Sequence, residues 1–216
     1  MVGIVLGAGA SRRLGRPKQT LPFGDTTLLG WTLRNVEASS LDRVVLVLGG
    51  AADDVLARLH TRRAHVARND AYGTGCASSL LAGLDNAGGA DAVMLLLGDM
   101  PGVDAELIDR VRQAWDDAGR PRAAVTSYRD GLGHPFVFAS ETFATLRGLH
   151  GDKAVWKIVD SDPSVARMAV DRPLPLDVDT EEDYQAVLRD VLGEASWQEQ
   201  AGAEAGAVEA VADHRP

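Results

Sequence analysis

Cysteine is almost absent. The 216-residue chain carries one, Cys76, which excludes an internal disulfide framework and a cysteine-based zinc centre. Lysine is nearly as scarce: of 22 basic residues only Lys18, Lys153 and Lys157 are lysines. No apolar run approaches the about 18 residues that a membrane-spanning helix needs. Nor does a charged, cleavable leader precede Val2-Gly3-Ile4-Val5-Leu6, so a cytoplasmic location is expected. The net charge of −9 argues against a nucleic-acid or membrane partner. Much of that charge lies at the end, where Glu194, Glu199, Glu204, Glu209 and Asp213 face Arg215.

What is present is an alternation of short apolar runs with amphipathic segments. Val2–Leu6, Val44–Leu48 and Val93–Leu97 have the continuous apolarity of parallel strands buried on both faces, and His65–Ala67 is a weaker candidate. Helical periodicity marks Thr27–Ala38, Ala52–Leu59, Ala77–Leu84 and Ala105–Ala118, with Thr26 and Asp104 as N-caps. Ala123–Ser127, Phe136–Phe138 and Val165–Val170 are expected strands, and Glu141–Leu146 and Thr180–Leu192 expected helices. This order predicts an α/β fold with a mostly parallel central sheet flanked by helices. Residues 1–192 form one expected domain. Residues 193–216 form an Ala/Glu-rich tail in which Trp197 alone could dock.

The first strand runs into LGAGASRRLGRPKQ, residues 6–19. Glycines at 7, 9 and 15 allow close approach of a phosphate, and in open α/β sheets ligands bind at this end of a strand. A dinucleotide fingerprint requires glycine where Arg12 stands, and a P-loop requires Ser or Thr where Gln19 stands. Taken alone, a G-x-G after a strand serves a ligand or a plain turn. Arg12, Arg13, Arg16 and Lys18, clustered in a mildly acidic chain, tilt the reading toward a polyphosphate whose leaving group gains charge during reaction.

Ala8-Gly9-x-Ser11-x-Arg13-Leu14-Gly15-x-x-Lys18 resembles the signature A-G-x-S-x-R-M-G-x-x-K of the MobA-like nucleotidyltransferases, with Leu14 where Met is usual. The resemblance implies a Rossmann-like nucleotidyltransferase fold over residues 1–192, its N-terminal half for nucleotide and its C-terminal half for acceptor, with the loop wrapping a nucleoside triphosphate. Leu6, Ala8, Gly9 and Ser11 would line the nucleotide, and Arg13 and Lys18 would hold phosphates and serve catalysis. Leu97-Gly98-Asp99-Met100-Pro101 matches the family's metal-binding G-D-M-P element, making Asp99 a catalytic metal ligand. Asp177-Val178-Asp179-Thr180-Glu181-Glu182-Asp183 is similar to D-x-D-T-P-E-D, without its proline. An extended backbone there puts Asp177 and Asp179 on one face. Asp179 is favoured as the second ligand, and it also reads as a cap of the following helix. Gly73 to Leu84 resembles a base-recognising stretch, with Gly73 and Ser79 in contact with the nucleotide and Ser78 as a capping residue. Cys76 has no base spaced to activate it.

Gly133-His134-Pro135 and Leu149-His150-Gly151-Asp152 resemble elements of the MocA branch, the molybdenum cofactor cytidylyltransferases. They imply that His134 and Asp152 contact the acceptor. Alanine at residue 8, where the guanylyltransferase branch has glycine, favours CTP over GTP. The implied activity is Mg2+-dependent transfer of CMP from CTP to the phosphate of a molybdopterin-type acceptor, releasing pyrophosphate. A molybdoenzyme or its maturation factor would be the protein partner. The alternatives are a guanylyltransferase, a transferase to another small phosphorylated acceptor, and a non-catalytic nucleotide-binding partner in molybdoenzyme maturation. A dinucleotide-binding module is disfavoured by Arg12 and by the absence of an acid after Leu46-Val47-Leu48.

Overall fold

A computed structural model describes residues 1–9, 11, 13–151, 154–194, 197 and 198. Asp152, Lys153, Arg12 and nearly all of the tail lie outside these residues. The three apolar runs form β1 (Val2–Gly7), β4 (Arg43–Leu48) and β6 (Ala92–Leu97). Between β1 and β4 stand a small hairpin of β2 (Pro22–Phe23) and β3 (Thr26–Thr27), then α1 (Leu28–Ala38). After β4 come α2 (Ala52–Leu56), β5 (Ala64–Arg68) and α3 (Cys76–Asn86). After β6 come α4 (Ala105–Asp117), β7 (Ala123–Ser127), β8 (Leu132–Ala139) and α5 (Phe143–Arg147). The chain continues through α6 (Ala154–Ser161), β9 (Ala166–Ala169) and α7 (Glu181–Leu192).

The sheet runs β5-β4-β1-β6-β8-β7-β9. Only β8 is antiparallel to its neighbours, so the sheet is mostly parallel as its apolar strands require. One face buries Val5, Leu46 and Met94 under α1 and α4. The other buries Ile4, Val45 and Leu95 under α3, α5 and α6. The successive residues Ile4 and Val5 therefore point to opposite layers, the two-sided burial that the uninterrupted apolar runs predict. A third cluster packs Leu21, Phe23 and Leu28 against Val178, Tyr184 and Val187, which fastens α7 to the hairpin.

The cap of α1 is Thr27 rather than Thr26: the Thr27 hydroxyl accepts from Gly30 N, and both threonines form β3. Both are threonines before an apolar run, and only the hairpin decides between them. Asp104 caps α4 as expected, accepting from Leu107 N at 2.8 Å, a contact worth about 1 kcal/mol. The helix α6 has no counterpart in the sequence reading, and α2 ends three residues before Leu59. Trp197 does dock: its Nε1 donates to Gln185 Oε1 at 2.6 Å, and Arg189 lies over its ring.

The chain leaves β1 toward β4 and β5 and returns through β6 on the other side of β1. This reversal is a topological switch point, and the loops after β1 and β6 open a crevice there. Leu6 pairs with Val47 and Leu97, so all three strand ends reach the same edge.

Candidate active site

A cavity of about 610 Å³ lies at that edge. Its walls include Leu6, Ala8, Gly9, Ser11, Arg13 and Lys18 from the loop after β1. Ser11 takes a left-handed φ of 49°, a conformation that a non-glycine residue keeps only where its surroundings enforce it. They do so here: Ser11 Oγ accepts from Lys18 N at 2.9 Å, while Ser11 O accepts from Leu14 N and Gly15 N. A second fastening comes from Gln19, which is 5% exposed. Its Nε2 donates to Gly7 O at 2.9 Å and to Gly9 O at 2.8 Å. The sequence marks Gln19 only as the residue that breaks a P-loop pattern; its clamping role depends on a fold-back that spacing does not reveal.

Asp99 follows β6, and the segment containing Asp177 and Asp179 lies beside it through Val178 N donating to Asp99 O at 3.2 Å. Val178 is fully buried in the cluster under α7. Alternation then leaves Asp177 and Asp179 on the cavity side. One carboxylate oxygen from each of Asp99, Asp177 and Asp179 lies within 4.8 Å of the others. Asp179 does not cap α7. Thr180 does, in a capping box with Asp183, which frees the Asp179 carboxylate for the cavity.

The loop cations and these acids meet directly. Lys18 Nζ donates to Val178 O at 2.8 Å and to Asp179 Oδ1 at 3.0 Å, and it also contacts the Asp99 carboxylate. Arg13 Nη2 lies 2.9 Å from Asp179 Oδ2. Burial pushes Asp99 above the usual carboxylate range, with Lys18 working against that push and Asp177 adding to it. For Lys18, burial alone would lower the ammonium; Asp99 and Asp179 outweigh it and hold the charge. Arg16 stands apart, 3.1 Å from Glu181 at the start of α7, and it does not line the cavity.

Opposite the loop, α3 brings Gly75, Cys76 and Ser79 to the wall, and Gly73 and Tyr72 precede them. Ser79 is buried and receives Asn69 Nδ2 at 2.9 Å; Ser78 receives the same amide and donates back to Gly75 O. Asn69, absent from the sequence reading, thus fixes both serines from the end of β5, while Ser78 is not the cap of α3. The Tyr72 ring lies on Gly49, where a Cβ would come within 2.8 Å of Tyr72 Cγ and of Ala8 O. Cys76 is exposed.

Part of the cavity wall is apolar. Leu80, Leu95 and Leu97 meet Val155 and Trp156 of α6, with His134 among them. Phe136 takes His134 edge-on at 4.4 Å and Trp156 edge-on at 5.1 Å. Burial pushes the His134 imidazole down to about 3, so it is neutral at physiological pH. Of the two residues expected to contact an acceptor, His134 lines this cavity and Asp152 lies outside the described residues.

A Rossmann-like α/β sheet with a cationic glycine loop facing a carboxylate cluster across its switch point is the architecture of a nucleotide-handling enzyme. The chain belongs to the MobA-like NTP transferase domain family, whose model matches residues 3–167. It is 40% identical to the Rv0371c homologue from Mycobacterium sp. strain JC1, with a TM-score of 0.80 over 88% of this chain and 96% of that one. Rv0371c of Mycobacterium tuberculosis H37Rv, whose structure is a complex with manganese, is 40% identical at a TM-score of 0.74, covering 87% and 97%. Nicotine blue oxidoreductase of Paenarthrobacter nicotinovorans is 32% identical over 143 residues, 63% of this chain and 70% of that protein.

Proposed function

We propose that the protein transfers CMP from CTP to the phosphate of a small acceptor with a planar heterocycle, of the molybdopterin type. The observation that carries this reading is the convergence of Arg13 and Lys18 with Asp99, Asp177 and Asp179 in a cavity whose wall also includes apolar and aromatic side chains. A phosphate acceptor is already anionic at neutral pH, so the reaction needs no strong general base. It needs positioning and charge neutralisation. Leu6, Ala8, Gly9 and Ser11 line the nucleotide, with Gly73 and Ser79 on its opposite side. Arg13 and Lys18 hold the phosphates and take up the charge that grows on departing pyrophosphate.

The acids suit a hard divalent cation, since three carboxylate oxygens converge and the Asp99 side chain is only 15% exposed. Asp99 and Asp179 would hold Mg2+ or Mn2+, with Asp177 beside them, and the ion would neutralise phosphate charge. The manganese complex of a relative 40% identical supports that reading. His134, neutral, would meet an uncharged ring by hydrogen bonding and edge contact rather than act as a cation for its phosphate.

The test is pyrophosphate release by purified protein with Mg2+, labelled CTP or GTP, and molybdopterin extracted from a molybdoenzyme. Release with CTP alone is expected. Asp99→Asn should lower kcat by about 100-fold or more, the range typical for loss of a charge-stabilising group. Release with neither nucleotide would refute the acceptor assignment.

A further inference from the structure

The ammonium of Lys18 has three N–H donors, and all three are engaged: by Asp99, by Asp179 Oδ1 and by Val178 O. Its side chain is 12% exposed and that of Asp99 15%, so the pair is poorly screened by water. The guanidinium of Arg13 takes the remaining oxygen of Asp179 at 2.9 Å. Lys18 and Arg13 are therefore both paired with acids of the metal cluster, while Arg16 is held by Glu181. A lysine is long and flexible enough to exchange partners.

From this we infer that Lys18 acts as a resident counter-ion of the carboxylate cluster, so that divalent cation and nucleoside triphosphate each bind weakly alone and tighten one another. The inference rests on the metal and nucleotide reading above. A divalent ion arriving alone must expel an ammonium from partly buried carboxylates, with no new partner for it. A triphosphate arriving alone meets Lys18 and Arg13 already neutralised. Arriving together, the two exchange partners: cations of the loop go to phosphate, and the acids go to the metal. By linkage each ligand then tightens the other by the same factor. A further consequence is protection of the site from free divalent cations between turnovers.

The experiment is Mn2+ binding, followed by the loss of the free-ion signal in electron paramagnetic resonance, for wild type, Lys18→Met and Lys18→Arg. Each is measured with and without a non-hydrolysable CTP analogue. Wild type and Lys18→Arg should bind Mn2+ weakly alone. Adding the analogue should tighten wild type by about 10-fold or more, within the usual span of coupled ligands. Lys18→Met should bind Mn2+ alone at least about 10-fold more tightly than wild type, because its cluster has lost its competing charge. Thermal unfolding supplies a second readout: Mn2+ without nucleotide should raise the Tm of Lys18→Met far more than that of wild type. Equal Mn2+ affinity in wild type and Lys18→Met overturns the counter-ion role while leaving the metal site standing. Mn2+ binding in no arm overturns both.

Discussion

Replacing Gln19 by leucine isolates the clamp that shapes the loop. Gln19 sits 5% exposed, and its Nε2 holds two carbonyl oxygens, those of Gly7 and Gly9. Each hydrogen bond is worth about 1 kcal/mol net, and a buried carbonyl left without a donor costs about 1–3 kcal/mol more. Gly9 O lies in part-buried surroundings where water can replace the amide, so only Gly7 O is fully stranded. Against this stands a gain. Gln19 Oε1 is itself a buried acceptor without a partner, the one such side-chain atom among the described residues, and leucine removes it. That gain cancels the stranding of Gly7 O, leaving the two lost bonds, about 2 kcal/mol in all. Gln19→Glu has almost the same shape but puts acceptors against both carbonyls and a charge in a buried position. It should cost more than leucine, about 3 kcal/mol or above. Urea unfolding of the three proteins at neutral pH measures both differences, and the KM for nucleotide should rise in each variant as the loop loosens. A leucine variant within about 0.5 kcal/mol of wild type would refute the clamp, since ordinary surface changes are that small. A glutamate variant more stable than the leucine one would refute the donor assignment.

Two other outcomes follow from the packing. Gly83 of α3 faces Ile4 of β1, and a Cβ there would come within 2.4 Å of Ile4 Cγ2 on a fully buried strand. Overpacking of about 1–3 kcal/mol should outweigh the about 1 kcal/mol that alanine gains in a helix, so Gly83→Ala should lower the urea midpoint. A stabilised variant would show that α3 has room to move. For His134, burial takes the imidazole from 6.5 to about 3. The folded state then resists the proton, so this contribution to stability is whole above about pH 6.5 and drains as pH falls toward 3. Its C2–H proton resonance should not titrate between pH 5 and 8; a midpoint inside that window would contradict the burial.

The sequence by itself determined the layers and the edge. Uninterrupted apolar runs at Val2–Leu6, Val44–Leu48 and Val93–Leu97 can be satisfied only by strands covered on both faces, and β–α alternation makes them parallel. Chemistry that follows such strands must then gather at one edge, so Lys18 and Asp99 were legible as partners of one site. The pairing of Asp177 with Asp179 was legible for a similar reason: extended backbone alternates, and a buried Val178 sends both carboxylates the other way. Tertiary structure decided what spacing cannot carry. Whether Thr26 or Thr27 caps α1, and whether Asp179 or Thr180 caps α7, depends on where the hairpin and the buried cluster hold the chain. The Gln19 clamp, the Asn69 bridge to the serines and Trp156 in the cavity wall all join segments that fold back on one another. Side chains of that kind are specified by distance in space, and a linear sequence records only distance along the chain.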